Sequence, residues 1–177
     1  MDYDIVVIGG GPAGLSFACS MAGLNLNVIL VEKSTLESIS KPKPDGREIA
    51  LTHHSRKILI KLGVWSLIDE VKVSPLKEAK VFDGGSDSLL NFDAKNSAIE
   101  ALGYLVPNHL IRAALFERVS QAENVTILNE LMVDGVSTTN TGAEVSLSNG
   151  KTIKSNWLLQ QIVVFLKLGE RWEYLRL

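Results

Sequence analysis

Three glycines at fixed spacing, Gly9, Gly11 and Gly14, lie between two short β-branched runs, and this arrangement constrains the fold more than any other feature of the 177-residue chain. Tyr3 to Ile8 is a nearly continuous apolar run, the pattern of a strand buried on both faces of a parallel sheet. The glycine turn breaks it. Leu15, Ala18, Cys19, Ala22 and Leu24 then recur at helical spacing until Gly23 and Asn25 stop the helix. A second run, Val28 to Val31, ends on Glu32. Strand, turn, helix and strand within about 30 residues make a βαβ unit, so the expected class is α/β with a Rossmann-like domain.

Each residue type in the turn has a physical reason. Gly9 permits the tight turn, Gly11 lets backbone approach a pyrophosphate, and Gly14 lets helix and strand pack closely. The amides at the helix start, with the positive end of the helix dipole behind them, favour phosphate. Glu32 follows Gly14 by eighteen residues, close to the ~20 expected for an acid that accepts hydrogen bonds from a ribose. Its charge would repel a 2′-phosphate. Glycine triplets arise by chance and can merely make turns, but this one follows a buried strand, opens a helix and is answered by the acid. The motif does not separate FAD from NAD.

Charge and composition exclude other classes. Eighteen Lys and Arg against twenty Asp and Glu give a formal net charge of −2, so the basic footprint of a nucleic-acid binder is missing. The single cysteine, Cys19, forms no internal disulfide and argues for no secreted scaffold. The start MDYDIVV is acidic where a signal peptide is basic, and the apolar stretches fall short of the ~20 residues that span a bilayer. The expectation is a cytoplasmic protein, peripheral to a membrane at most.

Further along, Ser34 to Gly46 reads as a loop containing Pro42, Pro44 and the turn dipeptide Asp45-Gly46. Thr52 reads as the N-cap of a helix through Leu62 that ends at Gly63. Ala79 to Phe82 and Leu89 to Phe92 look like antiparallel strands. Gly103 to Val106 is another strand, and Asn108 is a candidate cap for a helix with Leu110, Ile111, Ala114, Leu115 and Val119 on its apolar stripe. Val125 to Leu128, Leu131 to Ser137, Ala143 to Leu147 and Thr152 to Leu159 read as strands.

Three spaced blocks, DIVVIGGGPAGLSFACSMAGLNLNVILVEK, DGREIALTHHSRKILIKLGVWSLI and LGYLVPNHLIRAALFERV, carry a resemblance over roughly Asp2 to Leu159. The chain resembles the class A FAD-dependent aromatic hydroxylases, and among them the ubiquinone-biosynthesis hydroxylases that act on polyprenylated phenols. The resemblance implies an FAD monooxygenase that uses NAD(P)H and O₂, a small aromatic or polyprenyl-phenol substrate, and membership of a ubiquinone-biosynthesis complex. It implies an FAD-binding domain over 1–159, with the first antiparallel strands of a partial substrate domain interleaved at about 75–107. By the same resemblance Gly9, Gly11, Pro12, Ala13 and Gly14 form the phosphate loop, Glu32 is the ribose acid, and Lys33 stands at the adenine end. Arg47 of the DGR block and Arg112 match arginines that reach the FAD, and Val133 falls where a strand backbone holds the adenine. Pro107 departs from the Glu usual before Asn in these enzymes. The reactive oxygen is carried by the flavin, so no protein nucleophile is expected.

His53, His54 and His109 have no partners at catalytic spacing and read as polar surface groups, while Cys19 and Trp65 read as core. A lone helix arginine such as Arg112 is ordinarily a solvated residue, and only the resemblance raises it to a ligand. Residues 160–177, QQIVVFLKLGERWEYLRL, lack the Ala-Asp-(Gly/Ser)-Arg-x-Ser stretch that should follow. Reading the coding sequence one base earlier permits ADSRFSETRR followed by Gly, so a frameshifted tail and a C-terminally truncated chain are expected, with weak FAD retention and little hydroxylation. Rival expectations are a non-catalytic nucleotide-binding remnant, another FAD enzyme of the fold such as a polyprenyl reductase or halogenase, and, more weakly, an NAD-binding module.

Overall fold

A computed structural model describes residues 2–82, 84, 89–96, 99–139 and 142–160. In chain order these form β1 (Tyr3–Ile8), α1 (Pro12–Met21), β2 (Val28–Val31), α2 (Leu36–Ser40), β3 (Glu48–Leu51), α3 (His53–Lys61), β4 (Ser74–Leu76), β5 (Glu78–Phe82) and β6 (Leu89–Asp93). There follow β7 (Gly103–Pro107), α4 (Asn108–Val119), β8 (Val125–Leu128), β9 (Val133–Thr139), β10 (Gly142–Leu147) and β11 (Thr152–Gln160). The expected tail lies outside the described residues, apart from Gln160 at the end of β11.

The main sheet runs β8-β2-β1-β11-β10-β9, parallel from β8 to β11 and antiparallel from β11 to β9. β11 joins the two halves: Ser155 stands opposite Tyr3 of β1 in the parallel ladder and opposite Ala143 of β10 in the antiparallel one. All four residues of β2 are buried, as a strand covered on both faces requires. Alternation along β1 divides the core. Ile5 and Val7 pack with Leu15, Ala18, Ile111 and Leu115 of α1 and α4, whereas Val6 packs with Ile29, Val31, Val145, Leu147 and Ile153. The antiparallel end therefore curls over the sheet face opposite the helices.

Cys19 sits in the α1–α4 contact, where its Sγ donates to the Leu115 carbonyl at 3.5 Å. Burial pushes its thiol up to about 11, against a smaller downward pull from Arg118. Trp65 is also core, with the Arg56 guanidinium over its ring. His53 and His54 are exposed, and His53 Nε2 lies 2.7 Å from the Ala101 carbonyl.

Three features differ from the sequence reading. The expected loop at 34–46 contains α2, because Thr35 caps it by accepting from the Ser38 N–H and Ile39 is fully buried beneath it. β3 and β4, unforeseen, flank β7 in a three-stranded antiparallel sheet. Asn108 does not cap α4: Pro107 is the N-cap, and the buried Asn108 side chain is spent across the chain on Asp45. β5 and β6 pair as a separate two-stranded antiparallel sheet, in the register Val81 to Leu90 and Phe82 to Leu89.

Candidate cofactor site

The turn after β1 opens toward the carboxyl ends of the parallel strands, where ligands of such sheets bind. Gly9 adopts φ +103°, a conformation that L side chains rarely take, and its N–H donates to the Val31 carbonyl at 2.8 Å. Gly11 is the N-cap of α1 in extended backbone, and no side chain caps the helix. Pro12 follows at the first helical position, where a missing N–H costs nothing. Ala13 is exposed and Gly14 buried. The amino end of α1 is therefore left to face an anion from outside.

Glu32 closes the other side of the turn. It is half-buried at the end of β2, its N–H donates to the Leu128 carbonyl at 2.8 Å, and its own carbonyl accepts from the Leu131 N–H. Its carboxylate accepts from the Gly10 N–H at 2.6 Å and from the Ser34 N–H at 2.9 Å. A Cβ on Gly10 would stand 3.2 Å from Glu32 Cγ, so the cradle is tight at that point. Burial alone would raise the Glu32 carboxyl. Hydrogen bonds from the Ser34 hydroxyl, the Gly10 N–H and the Ser34 N–H, together with the Arg112 charge, outweigh it and hold the group below its ordinary range. Glu32 is ionised at neutral pH.

Arg112 of α4 lies near enough for its charge to act on this carboxylate, with no hydrogen bond or ion pair between the two among the described residues. Its side chain is partly buried, and its Nε is a buried donor with no hydrogen-bond partner among the described residues. An orphaned guanidinium donor beside an ionised acid at a phosphate-binding turn is what an anionic dinucleotide would satisfy. Val133 opens β9 beside a bulge at Ser146 and Leu147, packed with the cluster that includes Ile8, Val31 and Leu128, the last residues of β1, β2 and β8. Lys33 is exposed, and among the described residues no hydrogen bond or ion pair joins it to the cradle.

Arg47 lies apart from the turn. Its side chain is 68% exposed and paired with Asp45 at 2.6 Å. Its carbonyl accepts from the Asn108 N–H at 2.9 Å, one helical turn before Arg112 on α4. Sequence reasoning missed Gly10, Ser34, Asp45 and Asn108 as parts of this arrangement. A signal for Asp45 existed: an Asp two residues before an Arg, across a glycine, is the pattern of an Asx turn, and Asp45 Oδ1 accepts from the Arg47 N–H at 3.1 Å.

With this geometry in view, comparison with known proteins separates the dinucleotides. A family model for the FAD binding domain matches residues 4–40. Ubiquinone hydroxylase UbiM of Neisseria meningitidis is 48% identical over 88% of this chain and 35% of its own length. The chain matches the amino-terminal third of the ubiquinone hydroxylases. Ubiquinone hydroxylase UbiL of Rhodospirillum rubrum is 28% identical over 86% of the chain and 35% of its own length. The chain thus spans about a third of the length of these curated relatives. Among solved structures, the OxyS anhydrotetracycline hydroxylase of Streptomyces rimosus superposes with a TM-score of 0.69 at 18% identity, over 90% of this chain and 31% of that one. The fold is the mixed α/β fold of FAD-dependent monooxygenases, and FAD is a cofactor that the cradle fits: it offers a helix start that no side chain caps, an ionised acid, and a buried arginine Nε without a hydrogen-bond partner among the described residues.

Proposed function

We propose that this chain is the FAD-holding part of a flavin monooxygenase that hydroxylates an aromatic ring with NAD(P)H and O₂, the substrate being a polyprenylated phenol of ubiquinone biosynthesis. The observation that carries the reading is the ionised Glu32 closing the Gly9–Gly14 turn opposite the Arg112 guanidinium; the likeness to UbiM supplies the reaction class. In this reading the amides of Gly11 and Ala13 receive the pyrophosphate, Gly14 lets helix and strand pack closely beside it, Pro12 fixes the first helical residue, and Gly9 makes the turn that lets the cofactor approach. Glu32 accepts from the ribose hydroxyls, Lys33 stands at the adenine end, and the Val133 backbone borders the adenine. Arg112 reaches the FAD from α4, and Arg47 stands near the flavin.

FAD, when bound, supplies the redox chemistry and the activation of oxygen. The chain's own residues bind and orient it, and no side chain is assigned as nucleophile or base. We further propose that residues 1–159 form the FAD domain with substrate-domain strands interleaved at about 75–107. No helix among the described residues is long and apolar enough to cross a membrane; a polyprenyl substrate lies in lipid, so a peripheral position at the membrane, within a ubiquinone-biosynthesis complex, completes the proposal.

A second reading is nucleotide binding without turnover, which the described residues alone would also support: they build a cradle for a dinucleotide, and no side chain among them is assigned as nucleophile or base. Titrating the purified protein into FAD while following flavin fluorescence tests the first step. Saturable quenching that ADP competes away is expected; no quenching at any protein concentration sinks the proposal. NADPH oxidation and oxygen uptake by the flavin-loaded protein then separate a hydroxylase from binding without turnover.

A further inference from the structure

The Asp45 carboxylate is the centre of four hydrogen bonds. Oδ2 accepts from Arg47 Nε at 2.9 Å, Arg47 Nη2 at 2.6 Å and Asn108 Nδ2 at 2.8 Å, while Oδ1 accepts from the Arg47 backbone N–H at 3.1 Å. Bonds from the Arg47 side chain, and then from Asn108, keep this carboxyl far below the ordinary carboxylate range. Asn108 is 4% exposed and begins α4, and its own N–H donates to the Arg47 carbonyl. Asp45 and Arg47 are thereby fastened to the first turn of the helix whose second turn carries Arg112. An exposed Asp–Arg pair adds little to stability. Its effect is to choose one orientation for a long side chain that would otherwise sample many rotamers. Two of the five guanidinium donors are spent on Asp45, and among the described residues no other acceptor takes the remaining three.

We propose that Asp45 is a positioning residue for the cofactor: it presets the Arg47 guanidinium for the flavin side of FAD, with Asn108 anchoring the pair to α4. The inference rests on the reading of Arg47 as a flavin contact. Preorganisation of one arginine is worth roughly three- to tenfold in affinity.

The test is FAD affinity, by fluorescence titration of the full chain, for the unsubstituted protein, Asp45→Asn, Arg47→Ala and the double variant. Asp45→Asn retains an oxygen that can accept from the Arg47 N–H but loses the charged acceptor for the guanidinium. Expected is a three- to tenfold loss for Asp45→Asn with Arg47 present, and less than about a twofold change when Arg47 is already alanine. Equal losses in both backgrounds overturn the inference in favour of a loop-supporting role, as does affinity that is unchanged or tighter in Asp45→Asn. Unaltered affinity in Arg47→Ala, or no FAD binding by the unsubstituted chain, removes the underlying reading and this inference with it.

Discussion

Glu32 meets its protein donors before any ribose arrives. The Gly10 N–H, the Ser34 N–H and the Ser34 hydroxyl take three of the four lone-pair positions on the carboxylate, and the fourth still has room for a hydroxyl. The net downward displacement of its titration sets the sign of a pH effect. A group whose folded-state pKa is depressed contributes stability above its unfolded pKa and loses it as pH falls through the folded one. FAD affinity and the Glu32 share of stability are therefore expected to stay flat from neutral pH down to the ordinary carboxylate range, and to fall only below it. Glu32→Gln keeps the shape but not the charge. With a discount for its exposed half, it should cost about 1 kcal/mol of stability and about tenfold in FAD affinity, read by thermal unfolding and flavin fluorescence. An affinity unaffected by the substitution would remove Glu32 from the ribose position.

At the scale of elements, legibility followed the range of the forces. β1, α1 and β2 were readable because a β-branched run, a glycine turn and helical periodicity are all local. α2, β3 and β4 were not: they are five, four and three residues long, too short for a period, and they exist through the buried Ile39 and through pairing with β7. Within the site, the glycines and Glu32 follow from spacing alone. Asp45 and Asn108 do not, because their bond joins positions 63 apart. The β3–β7 pair is vulnerable at one atom. A Cβ on Gly103 would stand 2.5 Å from the Leu51 carbonyl oxygen, which is backbone and cannot swing aside. Gly103→Ala should therefore push β3 off β7 and cost about 1–3 kcal/mol. Gly135→Ala, whose Cβ would meet nothing closer than 4.0 Å, is the matched control. A Gly103→Ala midpoint equal to that of the control would contradict the packing.

For the whole molecule the informative surface is apolar. Val81, Phe82, Leu89, Leu90 and Phe92 of the β5–β6 hairpin are exposed, Phe82 to 72%. Neighbours along a strand point to opposite faces, so the Val81–Leu90 pair and the Phe82–Leu89 pair make both faces of this hairpin apolar. Strands that read this way belong between two covering layers, and an isolated two-stranded hairpin is marginal in water. Trp157 on β11, 73% exposed, borders a second apolar surface, a cavity of about 380 Å³ lined with Ile5, Phe17, Leu26, Leu158 and Leu159. Patches of this kind bind other apolar surfaces. The protein is therefore expected to enhance the fluorescence of an apolar dye and to self-associate as concentration rises through the micromolar range, as analytical ultracentrifugation would show. Phe82→Lys with Leu90→Lys places a charge on each face of the hairpin and should shift the distribution toward monomer. FAD affinity should not change, because the cradle is built on the other sheet. A protein that stays monomeric and dark to the dye would mean that these side chains are covered in solution, and the hairpin would then need a packing partner within the chain itself.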